Sequence, residues 1–344
     1  MEQRELGKSG IQVSKICLGT MTFGEQNSEA DAHEQLNYAF ANGINFLDTA
    51  ELYAVPSRKE TQGLTEQYIG TWLKNQKRDD IIVGTKIVGP SPNLLHIRPE
   101  LNYSDASIDD ALEASMMRLQ TDYIDLYQLH WPERKNNRFG IRGLSEIDNW
   151  EDNFLAVIQK LTSLIKEGKI RTWGLSNESP WGVMRCIELC NKHNLPKPVS
   201  IQNAYSLLNR TFEIGLAEIS LYENIGLLPY SPLAMGLLTG KYHTNNDTPN
   251  DRLNKYKNQM TRYVGNQGLQ VAEKYLKIAL KHEISLTQMS LSFVNDRAFN
   301  TSNIFGATSM VQLKENISSA SIKLSEECLA DIESVHESFP NPCP

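Results

Sequence analysis

Eight short apolar runs alternate along this 344-residue chain with longer segments whose apolar residues recur every three or four positions. The longer segments are typical of amphipathic helices, and the short, often β-branched runs are typical of parallel strands buried on both faces. The predicted strands are residues 16–19, 44–48, 81–86, 124–130, 170–176, 199–203, 225–230 and 301–305. The predicted helices are residues 32–42, 60–75, 107–119, 154–167, 180–193, 212–222 and 267–282.

This alternation predicts an α/β protein in which residues 1–344 form a single (β/α)8 TIM barrel domain. A hairpin signal at residues 5–13 precedes the first strand, and residues 325–337 predict an extra C-terminal helix. The alternative architecture is a doubly wound sheet. Its GxGxxG phosphate motif is missing, because the first strand leads into the sequence GTMTFG at residues 19–24.

Four predicted loops are longer than a bare barrel requires: residues 54–61, 89–106, 131–153 and 233–265. Each loop follows a predicted strand. Because the carboxyl ends of the strands form the mouth of such a barrel, these loops are expected to surround an active site.

The composition excludes several classes of protein. The net charge of −7 gives no electrostatic reason to bind nucleic acid. The sequence has no segment of transmembrane length and no secretory signal, so we expect a cytoplasmic protein without a membrane partner. Its five cysteines form no CxxC pair and have no histidine at ligand spacing, which indicates reduced, buried thiols and no metal site. Nothing in the sequence fixes the oligomeric state.

Charged and polar residues stand at the ends of consecutive predicted strands. Asp48 ends the second strand, Lys86 the third and His130 the fourth, and Tyr53 follows Asp48 by five residues. Because these strand ends meet at one rim, the four side chains are expected to lie together. A single such residue could be a structural residue whose polar groups are hydrogen-bonded at the rim. Burying several charged groups at one rim costs free energy, however, unless they form ion pairs or take part in catalysis. The four together therefore predict a catalytic site.

Motifs in chain order resemble the aldo-keto reductase family over nearly the whole length. They are LGTMTFG at 18–24, the stretch 45–53 ending in LDTAELY, DYIDLYQLH at 122–130, GKIR at 168–171 with GLSN at 174–177, QNAY at 202–205, YSPL at 230–233, GKY at 240–242, and GAT at 306–308 leading to Gln312, Leu313, Glu315 and Asn316. The runs GTMTFGEQNSEADAH and SLLNRTFEIGLAE resemble the bacterial Tas-type branch, which is similar to potassium-channel β-subunits.

The resemblance implies reduction of a small aldehyde or ketone with NADPH. Tyr53 is then the general acid for the carbonyl oxygen, and Lys86 lowers the pKa of that phenol. Asp48 keeps Lys86 charged, and His130 orients the carbonyl group. Trp131 follows His130 directly and is expected, with Tyr53 and His130, to contact the substrate.

The resemblance also implies where the cofactor binds. Ser176, Asn177 and Gln202 are expected to contact the nicotinamide carboxamide, and Tyr230 to stack on the nicotinamide ring. Residues 231–238 and Lys241 are expected to wrap the pyrophosphate. The complete predicted cofactor set is Gly19, Thr20, Met21, Asp48, Ser176, Asn177, Gln202, Tyr230, Ser231, Pro232, Leu233, Met235, Leu238, Lys241, Arg252, Gly306, Thr308, Gln312, Glu315 and Asn316.

One departure from the family concerns the adenosine 2′-phosphate. Many relatives that prefer NADPH carry a cation in the last of these motifs, whereas residues 306–312 have none and Glu315 is acidic. Arg252, Lys255 or Arg262 from the seventh loop are the candidate replacements. NADPH is expected over NADH because of the branch that the chain resembles.

Two other functions remain open. One is a cofactor-binding sensor or partner subunit, as in the channel β-subunits, some of which lack the histidine that stands here as His130; its presence favours an enzyme. The other uses Lys86 as a Schiff-base nucleophile in an aldolase-like barrel. The neighbouring Asp48 argues against this, because it would hold the lysine protonated.

Overall fold

The computed structural model describes residues 1–244, 246–256 and 261–344. The strands, numbered in chain order, are β1 (Gln3–Glu5), β2 (Gln12–Ser14), β3 (Ile16–Gly19), β4 (Phe46–Asp48), β5 (Ile82–Ile87), β6 (Ile124–Leu129), β7 (Ile170–Ser176), β8 (Ser200–Gln202), β9 (Gly226–Leu227) and β10 (Asn303–Phe305). The α-helices are α1 (Glu29–Ala41), α2 (Leu64–Leu73), α3 (Asp105–Leu119), α4 (Phe154–Lys166), α5 (Pro180–His193), α6 (Leu216–Glu223), α7 (Arg252–Lys255), α8 (Asn266–Lys281), α9 (Leu286–Asn295), α10 (Met310–Ser318) and α11 (Glu326–Ser338).

Eight parallel strands form one curled sheet in the order β10-β3-β4-β5-β6-β7-β8-β9. Backbone hydrogen bonds also join the two edges of this sheet, because β9 bonds to the segment that leads into β10. The amide of Leu227 donates to the carbonyl of Phe299 (2.8 Å), and the amide of Thr301 donates to the carbonyl of Leu227 (2.9 Å). The sheet therefore closes on itself with helices outside, which confirms the predicted (β/α)8 fold.

The N-terminal hairpin covers the amino end of the barrel. β1 and β2 pair antiparallel. Leu6, Ile11 and Val13 of the hairpin pack with inward-facing barrel residues that include Phe46 and Leu126. Because this end is plugged, the open end is the carboxyl end of the strands, where the long loops lie.

Several predicted boundaries differ from the structure for local reasons. β9 ends at Leu227 rather than at residue 230, because Pro229 has no N–H to donate to the ladder. The predicted helix 212–222 is broken by Gly215 (φ 94°), so that α6 begins at Leu216. The predicted helix 107–119 begins two residues earlier, at Asp105, because Ser104 caps α3 by accepting from the amide of Ser107.

Three α-helices were not predicted. α7 is a four-residue helix within the predicted loop 233–265. α9 is buried along nearly its whole length, and its residues 289–293, MSLSF, alternate between apolar and polar as a strand does, which obscures the helical pattern. α10 is a nine-residue helix within the segment interpreted as cofactor-binding loop. The C-terminal helix was predicted and is present as α11, capped by Ser325.

The five cysteines are buried and unbonded, as the sequence predicts. One described group, His282, Glu327 and Asp331, has side chains close enough to share a metal ion, but Lys281 already bonds to both carboxylates. None of the described helices combines the length and apolar character needed to span a bilayer.

Candidate active site

Asp48 and Lys86 form a buried ion pair where β4 and β5 end. Lys86 Nζ lies 2.8 Å from Asp48 Oδ2 and 2.7 Å from the carbonyl oxygen of Thr49. Burial favours the neutral amine, but Asp48 and Tyr53 outweigh it and raise the pKa of Lys86 above its usual value. A permanent positive charge therefore lies beneath the mouth of the barrel.

The second oxygen of Asp48 is held by two glutamines. Gln202 Nε2 donates to Asp48 Oδ1 at 2.8 Å, and Gln128 Nε2 lies 3.4 Å from the same oxygen. Gln128 was not predicted as a site residue. The sequence does carry a signal for it, because in a strand Gln128 shares a face with His130, two residues further on.

Tyr53 follows β4 and stands above the ion pair. Lys86 Nζ lies 5.0 Å from the centre of the Tyr53 ring. Burial raises the pKa of Tyr53, Lys86 lowers it, and Asp48 adds to the increase, so that the pKa lies above its usual value. Lys86 thus acts on the pKa of Tyr53 in the expected direction, but the net shift is upward, because the cost of burying a phenolate exceeds the help from one cation that is already paired.

His130 completes the group at the end of β6. Its amide donates to the carbonyl of Ile87 (2.9 Å), and its carbonyl accepts from Asn177 Nδ2 (2.8 Å). The His130 ring lies edge-on to the Tyr53 ring, with 6.0 Å between centres. Burial and then the charge of Lys86 hold the pKa of His130 well below its usual value, so the imidazole is neutral at neutral pH.

A cavity of about 600 Å³ extends from this group across the mouth. That volume is typical of small-molecule sites. The predicted cofactor residues that line it are Gly19, Met21, Asp48, Ser176, Asn177, Gln202, Tyr230, Ser231, Pro232, Leu233, Met235, Lys241, Arg252, Gly306, Thr308, Gln312, Glu315 and Asn316. Thr20 and Leu238 are buried outside the lining, and Thr20 Oγ1 instead donates to the carbonyl of Asp48 (2.8 Å).

A group of hydrogen-bonded residues from three neighbouring strand ends lies beside His130. Tyr230 OH donates to Asn177 Oδ1 (2.7 Å), and Ser176 Oγ donates to the carbonyl of Gln202 (2.8 Å). Asn177 has the left-handed backbone conformation (φ 54°), which asparagine tolerates better than most residues. The ends of β7, β8 and β9 are therefore tied together at one side of the cavity.

The segment after β9 has an unusual backbone. Ser231, Ala234 and Met235 all have positive φ although none is glycine, and Gly236 follows them. Turns of this kind can present N–H groups to an anion. Lys241 follows and donates to Asp251 Oδ1 at 2.5 Å, which ties the segment to the next part of the loop.

Of the three candidate cations for the cofactor, Arg252 and Arg262 line the cavity and Lys255 does not. Arg252 Nη2 lies 3.4 Å from Gln26 Oε1, and burial lowers the pKa of Arg252. Residues 245 and 257–260 of the predicted loop 233–265 lie outside the described residues. Cations in an acidic protein that converge on one cavity fit a phosphate-bearing cofactor.

At the far end, polar groups of Thr308 and Gln312 bond to each other: the amide of Thr308 donates to Gln312 Oε1 at 2.9 Å. Glu315 accepts from Ser285 Oγ at 2.7 Å. No lysine or arginine among the described residues lines this end beside Glu315, in agreement with the sequence.

Apolar side chains border the cavity next to His130. Trp131 is buried, and its Nε1 donates to the carbonyl of Pro90 (3.2 Å). Phe139 lies edge-on to Trp131, with 6.0 Å between ring centres. Leu52 and Val55 also line this side and were not predicted, because no local pattern marks loop residues that fold over a mouth.

The fold and the site define a barrel enzyme with a buried lysine–aspartate pair beneath a tyrosine and a neutral histidine. Residues 15–337 match the aldo/keto reductase family. The chain is 49% identical to Protein tas of Escherichia coli over the full length of both. It is 34% identical to an aldo-keto reductase of Babesia bovis over 76% of the chain and 98% of that protein. It is 29% identical to a probable voltage-gated potassium channel subunit beta of Oryza sativa subsp. japonica over 99% and 98%.

The chain therefore belongs to the aldo/keto reductase family. It is an NAD(P)H-dependent oxidoreductase that acts on carbonyl compounds.

Proposed function

We propose that the protein reduces an aldehyde or ketone to an alcohol with NADPH, and that Tyr53 is the general acid. The observation that supports this most is the placement of Tyr53 and a neutral His130 at one end of the cavity, above the charged Lys86. When bound, the cofactor supplies the hydride that adds to the carbonyl carbon.

Tyr53 would deliver the proton to the carbonyl oxygen. Its raised pKa keeps the phenol protonated at neutral pH, as an acid must be before it acts. Lys86 becomes useful as the proton leaves, because its charge stabilises the phenolate that forms. This stabilisation is greater in the transition state than in the ground state, which is what accelerates a reaction.

His130 would position the carbonyl group. A neutral imidazole can donate one hydrogen bond to the carbonyl oxygen without adding a second buried charge beside Lys86. Asp48 would not touch the substrate. Its bonds to Lys86 and Gln202 keep the cation charged and in place.

The rest of the cavity would hold the cofactor. Ser176, Asn177 and Gln202, which line the cavity, would contact the carboxamide, and Tyr230 would stack on the ring. Lys241 and Arg252, with the N–H groups of residues 231–238, would face the phosphates. Arg252 makes no ion pair with a described carboxylate, so its charge is available to the 2′-phosphate of NADPH.

Residues 1–344 would act as one domain in the cytoplasm. One hydrophobic cluster extends from Ile16 to Cys343, which supports a single folding unit.

The test is oxidation of NADPH by 4-nitrobenzaldehyde, with formation of the alcohol measured by chromatography. We expect steady turnover, faster with NADPH than with NADH. Tight cofactor binding with no turnover on a panel of aldehydes and ketones would instead favour a sensor or partner subunit. Trapping of a carbonyl substrate on Lys86 by borohydride would favour Schiff-base chemistry, against which its pairing with Asp48 argues.

A further inference from the structure

A second cavity of about 860 Å³ lies beside the first at the barrel mouth. Residues 134–152 form one wall, the start of α5 and residues 203–216 form another, and Pro344 at the C-terminus closes one side. Phe139, Asn177, Tyr230 and Arg262 line both cavities. The two spaces therefore share a wall, although the proposed reaction uses only the first.

The walls of the second cavity expose large apolar side chains. Their exposure ranges from 46% for Phe139 to 88% for Ile147, and Ile141, Leu144, Trp181 and Ile214 are also exposed. Apolar side chains gathered around one cleft mark a binding surface rather than ordinary protein surface. Because this surface continues to Phe139 and Trp131, it extends from the place where the carbonyl group would react.

The floor of this cavity is rigid. The Arg134 guanidinium forms two hydrogen bonds with the carboxylate of Glu178. It also lies 4.8 Å from the centre of the Trp181 ring and 5.7 Å from that of Trp150. Glu178 directly follows Asn177, which binds the carbonyl of His130, so the floor is joined to the catalytic end.

Among the side chains that line the second cavity, the unpaired charge is positive. The three side-chain carboxylates are all engaged: Glu178 by Arg134, Asp152 by Arg185 (2.8 Å), and Asp148 by the amide of Lys135 (2.6 Å). In contrast, its arginines Arg138, Arg142 and Arg262 form no ion pair with any carboxylate that the structure describes. An anionic group could pair with them without displacing an existing partner.

We propose that the second cavity binds the distal part of an extended carbonyl substrate. An apolar body would lie on the exposed apolar walls, and an anionic end group would pair with Arg138 or Arg142. The inference rests on the proposed function, since it assigns a substrate class to the same reaction: bulky or long-chain aldehydes and ketones that carry a remote carboxylate or similar anion.

The test uses 4-alkoxybenzaldehydes whose chains of increasing length end in a carboxylate, each compared with its methyl ester and with benzaldehyde. We expect KM to fall as the chain lengthens, by up to about fourfold for each methylene that becomes buried. Once the chain reaches the arginines, the acid should have a KM about threefold to tenfold lower than its ester.

Variants identify the cavity. Arg138→Gln and Arg142→Gln, singly and together, should reduce the difference between acid and ester, and Leu144→Asp should raise KM for every long chain. All should leave the kinetics of benzaldehyde unchanged. Lys192→Gln removes one exposed charge outside the cavity and should change none of these values.

Two negative results can be told apart. If benzaldehyde is reduced but KM depends on neither chain length nor end charge, the subsite is overturned while the proposed function stands. If no aldehyde is reduced, the proposed function fails, and the subsite is tested by binding of a long-chain phenoxyalkanoate to the wild type and to Leu144→Asp. Equal affinities of the two proteins for this ligand would overturn the subsite. The subsite would also be overturned if Leu144→Asp changed only the self-association of the protein and not its affinity for the ligand.

Discussion

The strand ends and the loops above them are built in different ways. At the strand ends Asp48, Lys86 and Gln202 are almost fully buried, and their charged and amide groups bond to one another. In the loop above, Ile147 faces solvent and the ion pair between Lys135 and Glu146 is exposed. The two proposals therefore assign the chemistry to the buried strand ends and the selectivity to the exposed loops, an arrangement that would allow the substrate to change without disturbing the reaction.

Removing the charge of Lys86 is the strongest test of this difference between the strand ends and the loops. Lys86→Met should lower the free energy of unfolding by about 3–5 kcal/mol, because Asp48 is left buried without its partner. Urea unfolding measures this loss, and carbonyl reduction should be lost with it. The double variant Lys86→Met/Asp48→Asn is the control and should regain much of the stability. A single variant as stable as the wild type would show that the pair is not the rigid centre described.

A matched pair of neighbouring residues tests the contrast within one loop. Arg134→Met should lower the free energy of unfolding by about 2–4 kcal/mol, because it leaves Glu178 buried and unpaired. Lys135→Met should leave stability nearly unchanged, because both Lys135 and Glu146 face solvent. Thermal unfolding of the two variants, measured side by side, compares their stabilities. Equal losses of stability would contradict the difference between the buried Arg134 and the exposed Lys135.

The buried His130 should make stability depend on pH. The pKa of His130 in the folded state lies well below the usual value. Below about pH 6.5 the imidazole therefore becomes protonated in the unfolded chain but stays neutral in the folded protein. Stability from this residue is therefore full above that pH and falls as the pH drops. At pH 5 the loss is at most about 2 kcal/mol. Unfolding of His130→Gln at pH 7 and pH 5 should show a smaller difference than the wild type; an identical difference would mean that His130 titrates normally.

The smallest expected effect concerns the loop that faces the cofactor. Arg252→Met should raise KM for NADPH about tenfold, because one charged hydrogen bond to phosphate is lost, and should change KM for NADH less. Lys255→Met, three residues along and outside the cavity, is the control. Equal effects of Arg252→Met on both cofactors would place Arg252 at the pyrophosphate instead of the 2′-phosphate.

The sequence was informative where structure depends on local pattern. Asp48, Lys86 and His130 could be placed at one rim because each ends an apolar strand, and parallel strands present their ends together. α9 was not predicted because its residues 289–293 alternate between apolar and polar as a strand does, although the chain is helical there. The second cavity could not be foreseen, because residues 134–152 take their shape from distant contacts with α5, such as the ion pair between Asp152 and Arg185.

The direction of the Tyr53 pKa could not be read from the sequence either. It depends on how completely the barrel buries the phenol, which no neighbouring residue reveals. A raised pKa is compatible with the proposed role, because a general acid with a raised pKa is fully protonated before it acts.

The most direct test of the central claim is Tyr53→Phe in a single turnover. With enzyme in excess and NADPH bound beforehand, the rate of 4-nitrobenzaldehyde reduction is compared with that of the wild type, and the Kd for NADPH is measured separately by fluorescence. If Tyr53 is the proton donor, we expect the rate to fall by about 10²–10⁴ relative to the wild type, while the Kd for NADPH stays within about twofold of the wild-type value. Reduction by the variant at the wild-type rate would contradict Tyr53 as the proton donor.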